Sequence, residues 1–542
     1  MGAKGMPLLQ REAVSRAVSN VANWGDTDVF PLPVENHVMH DFGPKVEELL
    51  INVSQEFDSR LNAEPVASYS TLAPVGYMGF RWATQIDPMW NAHLLSLVIS
   101  LADKIENIRI PESAECVFSY RYRGDPGEGL FAQESWKKFQ VRTRTLADQN
   151  QYVVAVDIAD FYSRVYHHRL ENSLRNVDSG GAITRQIMAI LSKLSNNTSY
   201  GLPVGGPAAR ILAELVLHRV DKLLLAEPST RNFCRYADDY RFFVSDLPSA
   251  YRAIGFLSEK LLRNEGLSLQ KSKTRIMTSA EYLSTLDPPD APEGSAARFL
   301  GLHLHYDPYS ATADEDYERL KGQIEQFDIL GLLRAELGKG RVHSALTRRL
   351  ISALSYLDEL PRRQAVLSLL ENIETLSPVV PQVMMALRST IEEISDHEFT
   401  EYIHEQVRDL ILRSHYIAKV DLNLAFMIRT LATRKSNENE QLLIQLYNSS
   451  HGFGNSPAPI IQRDIILTLA RWRPNYWISD QKNYISTAHP WAKRAFLIAS
   501  YALGDEGRHW RDANKPPEGT FDRIVRDWAA SRVSDSKWEV PI

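Results

Sequence analysis

Two adjacent aspartates constrain this chain more than any other feature. Asp238 and Asp239, in Phe233-Cys-Arg-Tyr-Ala-Asp-Asp-Tyr-Arg-Phe-Phe-Val244, follow the small Ala237 and precede an apolar strand. Neighbouring carboxylates repel each other, and a structured element holds them together only where a cation screens them. The tip of a β-hairpin can aim such a pair at divalent ions, as phosphoryl transfer between nucleotides requires. Taken alone, a solvated Asp-Asp turn would look the same.

A second run narrows the choice. Tyr152-Val-Val-Ala-Val-Asp157 is an apolar strand that ends on Asp157, where a buried carboxylate is destabilising without a partner. Five residues on, Tyr162 suits a gate stacked under an incoming sugar, excluding ribonucleotides by clash at the 2′ position. Singly, Asp157 also reads as a strand-end cap and Tyr162 as a packed core aromatic. Between the two runs lies Ser199-Tyr-Gly-Leu-Pro-Val-Gly-Gly-Pro-Ala-Ala-Arg-Ile-Leu-Ala-Glu214. It predicts a loop, then a helix from Pro207 and Ala208. Gly205 and Gly206 leave room for a nucleotide to approach the backbone.

In order and spacing these three stretches resemble motifs A, B and C of reverse transcriptases, over about residues 115 to 305. Later pieces agree. Gly266-Leu-Ser-Leu-Gln-Lys-Ser-Lys-Thr-Arg-Ile276 resembles motif D, in which Lys271 or Lys273 would protonate the pyrophosphate leaving group. Phe299-Leu300-Gly301, continuing to Leu304, resembles the primer-grip hairpin. Val117-Phe-Ser-Tyr-Arg-Tyr-Arg123 offers Arg121 and Arg123 to triphosphate oxygens. The resemblance implies two Mg²⁺ ions, with Mn²⁺ as a substitute, on Asp157, Ile158, Asp238 and Asp239. It also implies deoxynucleoside triphosphates against Ile158, Tyr162, Val204 and Gly205.

At 542 residues, two or three domains are expected. Residues 1–114 read as a mostly helical extension belonging to the fingers, with a helix over Met89–Glu106 opened by Asp87-Pro88. Residues 115–312 read as an α+β fingers and palm. From 313 to 542 apolar residues recur at three- and four-residue spacing, which predicts an all-α, HEAT-like domain, or else a non-repetitive helical one. Arg463, Arg471, Trp472, Arg473, Trp491, Lys493 and Arg494 are candidates there to hold the growing strand. The net charge of −6 argues against tight, indiscriminate binding of bulk DNA. No apolar stretch is long enough to span a membrane, and the N-terminus lacks the apolar run of a secretory signal. Cys116 and Cys234 are the only cysteines, which excludes a disulfide scaffold and fits a reducing bacterial cytoplasm.

Within reverse transcriptases the chain resembles the abortive-infection group of bacterial antiphage enzymes, the AbiK and AbiA kind. The resemblance rests on Phe80-Arg-Trp-Ala-Thr-Gln-Ile-Asp-Pro-Met-Trp-Asn91, Val117–Arg121, Trp136-Lys-Lys-Phe139 and Asp157–His168. It implies single-stranded DNA made without a nucleic-acid template or with an unusual one. It also implies priming on a protein hydroxyl, a covalently attached product and homo-oligomers. The first tyrosine is Tyr69, so a later tyrosine or a serine would have to prime. Two rival readings stand beside it: a retron-like enzyme copying a structured RNA, and a non-enzymatic helical scaffold with a decayed core. Against decay, all three carboxylates are present.

Overall fold

A computed structural model of the chain describes residues 8–25, 29–125, 129–286, 294–300, 302, 313–473, 475–535 and 538–542. Helices between Arg11 and Ala63 lead into an antiparallel hairpin, β1 (Ser68–Val75) and β2 (Gly79–Ile86). Asp87 then accepts the Met89 amide at 3.2 Å and caps the helix Pro88–Ile108, buried along most of its length. The cap and the proline beside it are as the sequence predicts; the hairpin is not. Its strands alternate only weakly and carry Pro74, a residue confined to edges and bulges.

The palm is a four-stranded antiparallel sheet of β3 (Tyr152–Asp157), β4 (Phe233–Tyr236), β5 (Asp239–Val244) and β6 (Arg275–Thr278), in the order β4-β5-β3-β6. Side chains alternate across it. Val154, Val156, Tyr240 and Phe242 join the main core beneath the helices Pro207–Ala226 and Leu247–Lys260. Val153, Cys234 and Phe243 point the other way, onto Phe139 and Tyr282 of the helices Ser135–Asp148 and Ser279–Leu286. A sheet covered on both faces has little freedom to move, and its strand ends are correspondingly well placed.

Past Ala313 the described residues form helices and no strands. Alternate helices stack in one row: Ser344–Ala353, Val380–Glu393, Asp421–Leu431, Pro459–Trp472, Pro490–Ala499 and Phe521–Val533. This row lies against the N-terminal third. Tyr69 of β1 bonds to Asp421, Tyr77 donates to the Thr375 carbonyl at 2.7 Å, and Arg429 donates to the Leu32 carbonyl at 2.8 Å. Arg494 bonds to Asp87, reaches Glu35 at 3.6 Å, and meets Asp522 at 2.6 Å. Trp491 donates to Asp87 at 3.1 Å, and Trp528 to Asp41 at 2.6 Å.

These contacts correct the expectation for strand-holding residues. Arg463 and Trp491 are each 1% exposed and Arg494 is 6% exposed. Arg463 is committed to Asp464 at 2.9 Å and Gln85 at 3.3 Å. Arg471 is paired with Glu539, Trp472 packs on the core, and Arg473 ends its helix in the left-handed region. Of the seven, Arg473 and Lys493 are exposed. The others fasten the two halves or pack within the helical one. Among the described residues no helix is long and apolar enough to cross a membrane.

Candidate active site

β4 and β5 are joined by a two-residue turn, Ala237-Asp238, with Tyr236 opposite Asp239. Ala237 has φ +52°, a conformation that costs a non-glycine residue about 1 kcal/mol and persists only where the surroundings enforce it. They do so through Arg235, fully buried immediately before the turn, whose Nη1 donates to the Ala237 carbonyl at 2.9 Å. Its other donors meet Glu214 at 2.7 Å and Asp221 at 2.6 Å, and Arg109 closes on Glu214 at 2.6 Å. Tyr240 donates to Asp221 at 3.1 Å. A buried network with its charges paired is what holds the turn in place.

The sheet register puts Asp157 of β3 directly across from Asp239 of β5. The Ile158 amide donates to the Asp238 carbonyl at 3.2 Å, tying the end of β3 to the tip of the hairpin. Thus the three aspartates predicted from sequence converge at adjoining strand ends. Burial, and next the negative charge of Asp157, pushes the Asp238 carboxyl up to about 6. Lys273 reaches Asp157 Oδ2 at 2.8 Å, and that hydrogen bond raises the lysine above its usual range. Lys271 and Lys273 are both exposed, and of the two it is Lys273 that pairs with Asp157.

These donors fit divalent cations. Mg²⁺ characteristically takes one or two carboxylates and completes its shell with water and substrate phosphates, so a closed protein cage is not required. Among the described residues no group of three or more metal-ligating side chains is gathered closely enough to hold an ion by itself. A cation would offset both the burial and the neighbouring charge that raise Asp238.

A cavity of 110 Å³, lined by Tyr120, Tyr162, Val204, Gly205, Arg210 and, from β2, Arg81, lies near enough that the charge of Asp238 reaches both tyrosines. Gly205 has φ +125°, which a side chain would not tolerate, and this lets the loop pass close to the cavity. Burial raises the Tyr162 hydroxyl well above its usual range, as expected of an aromatic wall. Tyr162, Val204 and Gly205 are therefore brought together as the sequence predicts.

Arg121 and Arg123 are not. Arg121 is 2% exposed, and its guanidinium is already taken up by Glu106 at 2.7 Å, the Ile110 carbonyl at 2.8 Å and the Val117 carbonyl at 2.7 Å. Arg123 pairs with Glu112 at 2.8 Å. Neither lines the cavity. Its cations are Arg81 and Arg210, the latter 5.3 Å over the Tyr120 ring. Arg210 sits in the first turn of the helix after Gly205-Gly206-Pro207, a signal legible in the sequence; Arg81 depends on the hairpin's placement and is not. The primer-grip expectation also changes. Phe299 and Leu300 end a helix, Gly294–Leu300, whose Ala-Ala-Arg stretch favours that form over a hairpin, and Phe299 is buried 5.5 Å from Phe327. Gly301 lies outside the described residues.

A paired-strand palm with three carboxylates at adjoining strand ends has the arrangement of a nucleotidyl-transferring polymerase site. More particularly, residues 117–304 match the family model described as reverse transcriptase (RNA-dependent DNA polymerase). The chain therefore carries a reverse transcriptase domain and is a reverse-transcriptase-type polymerase. A comparison with curated proteins returns no match. Among solved structures, telomerase from Candida albicans in complex with a TWJ fragment of telomeric RNA aligns over 84% of this chain and 70% of its own, at 11% identity and a TM-score of 0.28. A likeness that slight has no bearing on substrate.

Proposed function

We propose that this chain is a DNA polymerase of bacterial antiphage defence, of the abortive-infection type, primed on a protein hydroxyl and working without a nucleic-acid template. The observation that carries the polymerase reading is the convergence of Asp157, Asp238 and Asp239 at the strand ends, with Lys273 on Asp157. When bound there, Mg²⁺ or Mn²⁺ supplies activation of the attacking hydroxyl and neutralisation of the leaving pyrophosphate. The residues of the chain do the rest. Arg81 and Arg210 bring positive charge to the cavity that receives a triphosphate, and Tyr162 walls the sugar side. Lys273 is placed to deliver a proton to the departing pyrophosphate.

The narrower assignment rests on the motif resemblance together with two structural supports. Stacked alternate helices favour the HEAT-like reading of residues 313–542. Met78, Phe80 and Trp82 of the hairpin are exposed, and Phe80 meets the exposed Phe453 of the helical half edge-on at 6.1 Å, which favours a homo-oligomer. Tyr69 and Tyr77 are engaged with the helical half, so the priming hydroxyl lies elsewhere. The test is incubation of the pure protein with each deoxynucleotide and Mg²⁺, with no nucleic acid added. Protein-linked DNA on a denaturing gel, lost in Asp238→Asn, is the expected result. Synthesis only when a structured RNA is supplied would favour the retron-like alternative. No incorporation under any condition would favour the scaffold.

A further inference from the structure

Arg81 faces two cavities. On one side is the small cavity beside Tyr120 and Tyr162. On the other is a larger cavity of 330 Å³ between the hairpin and the row of helices, and Arg81 and Val29 line both. The larger cavity also receives Arg348, Arg388 and Arg429 from three different helices, and no carboxylate lines it. Arg429 is held by Asp464 at 2.7 Å, and Arg388 has one surface partner, Glu392, at 2.9 Å. Arg81 and Arg348 have no carboxylate partner among the described residues. Arg81 and Arg348, both exposed, thus bring to the cavity positive charge that no lining carboxylate balances, and an anion would balance it.

Apart from Ser377 and Gln382, the remaining lining is apolar. Phe30, Met384 and Phe426 provide flat or polarisable surface, and Gln382 contributes a buried Oε1 with no hydrogen-bond partner. Apolar walls beside guanidiniums suit a base joined to a phosphate, and an unsatisfied amide oxygen suits an N–H on the base edge. The volume falls in the range of about 300–1,000 Å³ usual for small-ligand sites.

We propose that this cavity is a second nucleotide-binding site, which holds a phosphate-bearing nucleotide unit of a single strand next to the polymerising centre. Continuity through Arg81 favours a unit of a strand over a free nucleotide. The inference rests on the polymerase reading for the strand's purpose, but its test measures binding alone and needs no catalysis.

Fluorescence anisotropy of fluorescein-labelled dT10 on the full chain, without divalent cation, tests it. The double variant Arg348→Gln/Arg388→Gln removes two guanidiniums whose side chains have at most one surface partner, so the fold is retained. Binding of dT10 should weaken about tenfold, and the slope of log K against log salt should fall by about 1.4, two contacts at about 0.7 each for a single strand. A fluorescent deoxyadenosine triphosphate titrated in parallel identifies the source: if its affinity falls and that of dT10 does not, the site takes a free nucleotide and the strand assignment is overturned. If neither affinity changes, the cavity is not a nucleotide site. An inactive polymerase that still shows the dT10 difference would sink the polymerase reading and leave this one standing.

Discussion

Asp238→Asn should stabilise the metal-free protein while it abolishes polymerisation. Burial and the charge of Asp157 raise the Asp238 carboxyl from an ordinary 3.8 to about 6. At roughly 1.4 kcal/mol for each pKa unit, ionising it in the folded chain costs about 3 kcal/mol. Water at the hairpin tip screens part of this, which leaves about 1–3 kcal/mol. The sign follows from the direction of the shift. A carboxyl raised on folding adds stability below its unfolded value of about 4, and that contribution is lost as pH rises through about 6. Asparagine is neutral throughout. In chelator, calorimetry at pH 8 should therefore place the variant's Tm above that of the parent, by about 2–4 °C per kcal/mol for a domain of 150–250 residues. At pH 4.5 the difference should shrink towards zero. Added Mg²⁺ should raise the parent's Tm more than the variant's. A variant less stable than the parent at pH 8, or a gap that does not change with pH, would refute the argument that the three carboxylates are electrostatically crowded.

Three further outcomes are expected. Tyr162→Ala, in a variant that remains active, should raise ribonucleotide incorporation relative to deoxynucleotide at equal concentrations; an unchanged ratio would make Tyr162 a packing residue only. Lys273→Ala should lower kcat by about 10²-fold or more, the usual scale for a positioned proton donor, while Lys271→Ala should leave it nearly unchanged in the same primer-extension assay. Arg494→Ala should cost about 3–5 kcal/mol by urea unfolding, because it strands Asp87 and Glu35 in the interior without their cation; a loss below 1 kcal/mol would remove Arg494 as the tie between the halves.

The convergence of Asp157, Asp238 and Asp239 was legible in the sequence because the signals for it are local. An apolar strand ending on Asp157 and an aromatic strand starting at Asp239 fix strand type, and antiparallel pairing sets the carboxylates side by side. The Gly205 loop and the helix at Pro207 are legible for the same reason. Arg121 shows the limit. Its sequence context is that of a fingers arginine, yet its guanidinium is consumed by Glu106 from the preceding helix, a pairing no local pattern announces. Arg463, Trp491 and Arg494 read as exposed strand-holding groups because long-range burial by the N-terminal third is invisible to helical periodicity. The hairpin of β1 and β2 escapes for the converse reason. Its stability comes from the helix Asp421–Leu431 packed against it, not from its own alternation.

The ion pair between Asp87 and Arg494 joins positions 407 residues apart. On a ribosome adding about 5–20 residues per second, Asp87 emerges about 20–80 seconds before its partner exists. Until then Asp87 and Glu35 cannot be buried with their charge matched, and β1 has no helical surface to dock on. The palm strands are complete by Thr278, yet the wall formed by Arg81 waits for the last third of the chain. A nascent chain thus carries the palm strands well before the helices that pack on the hairpin exist.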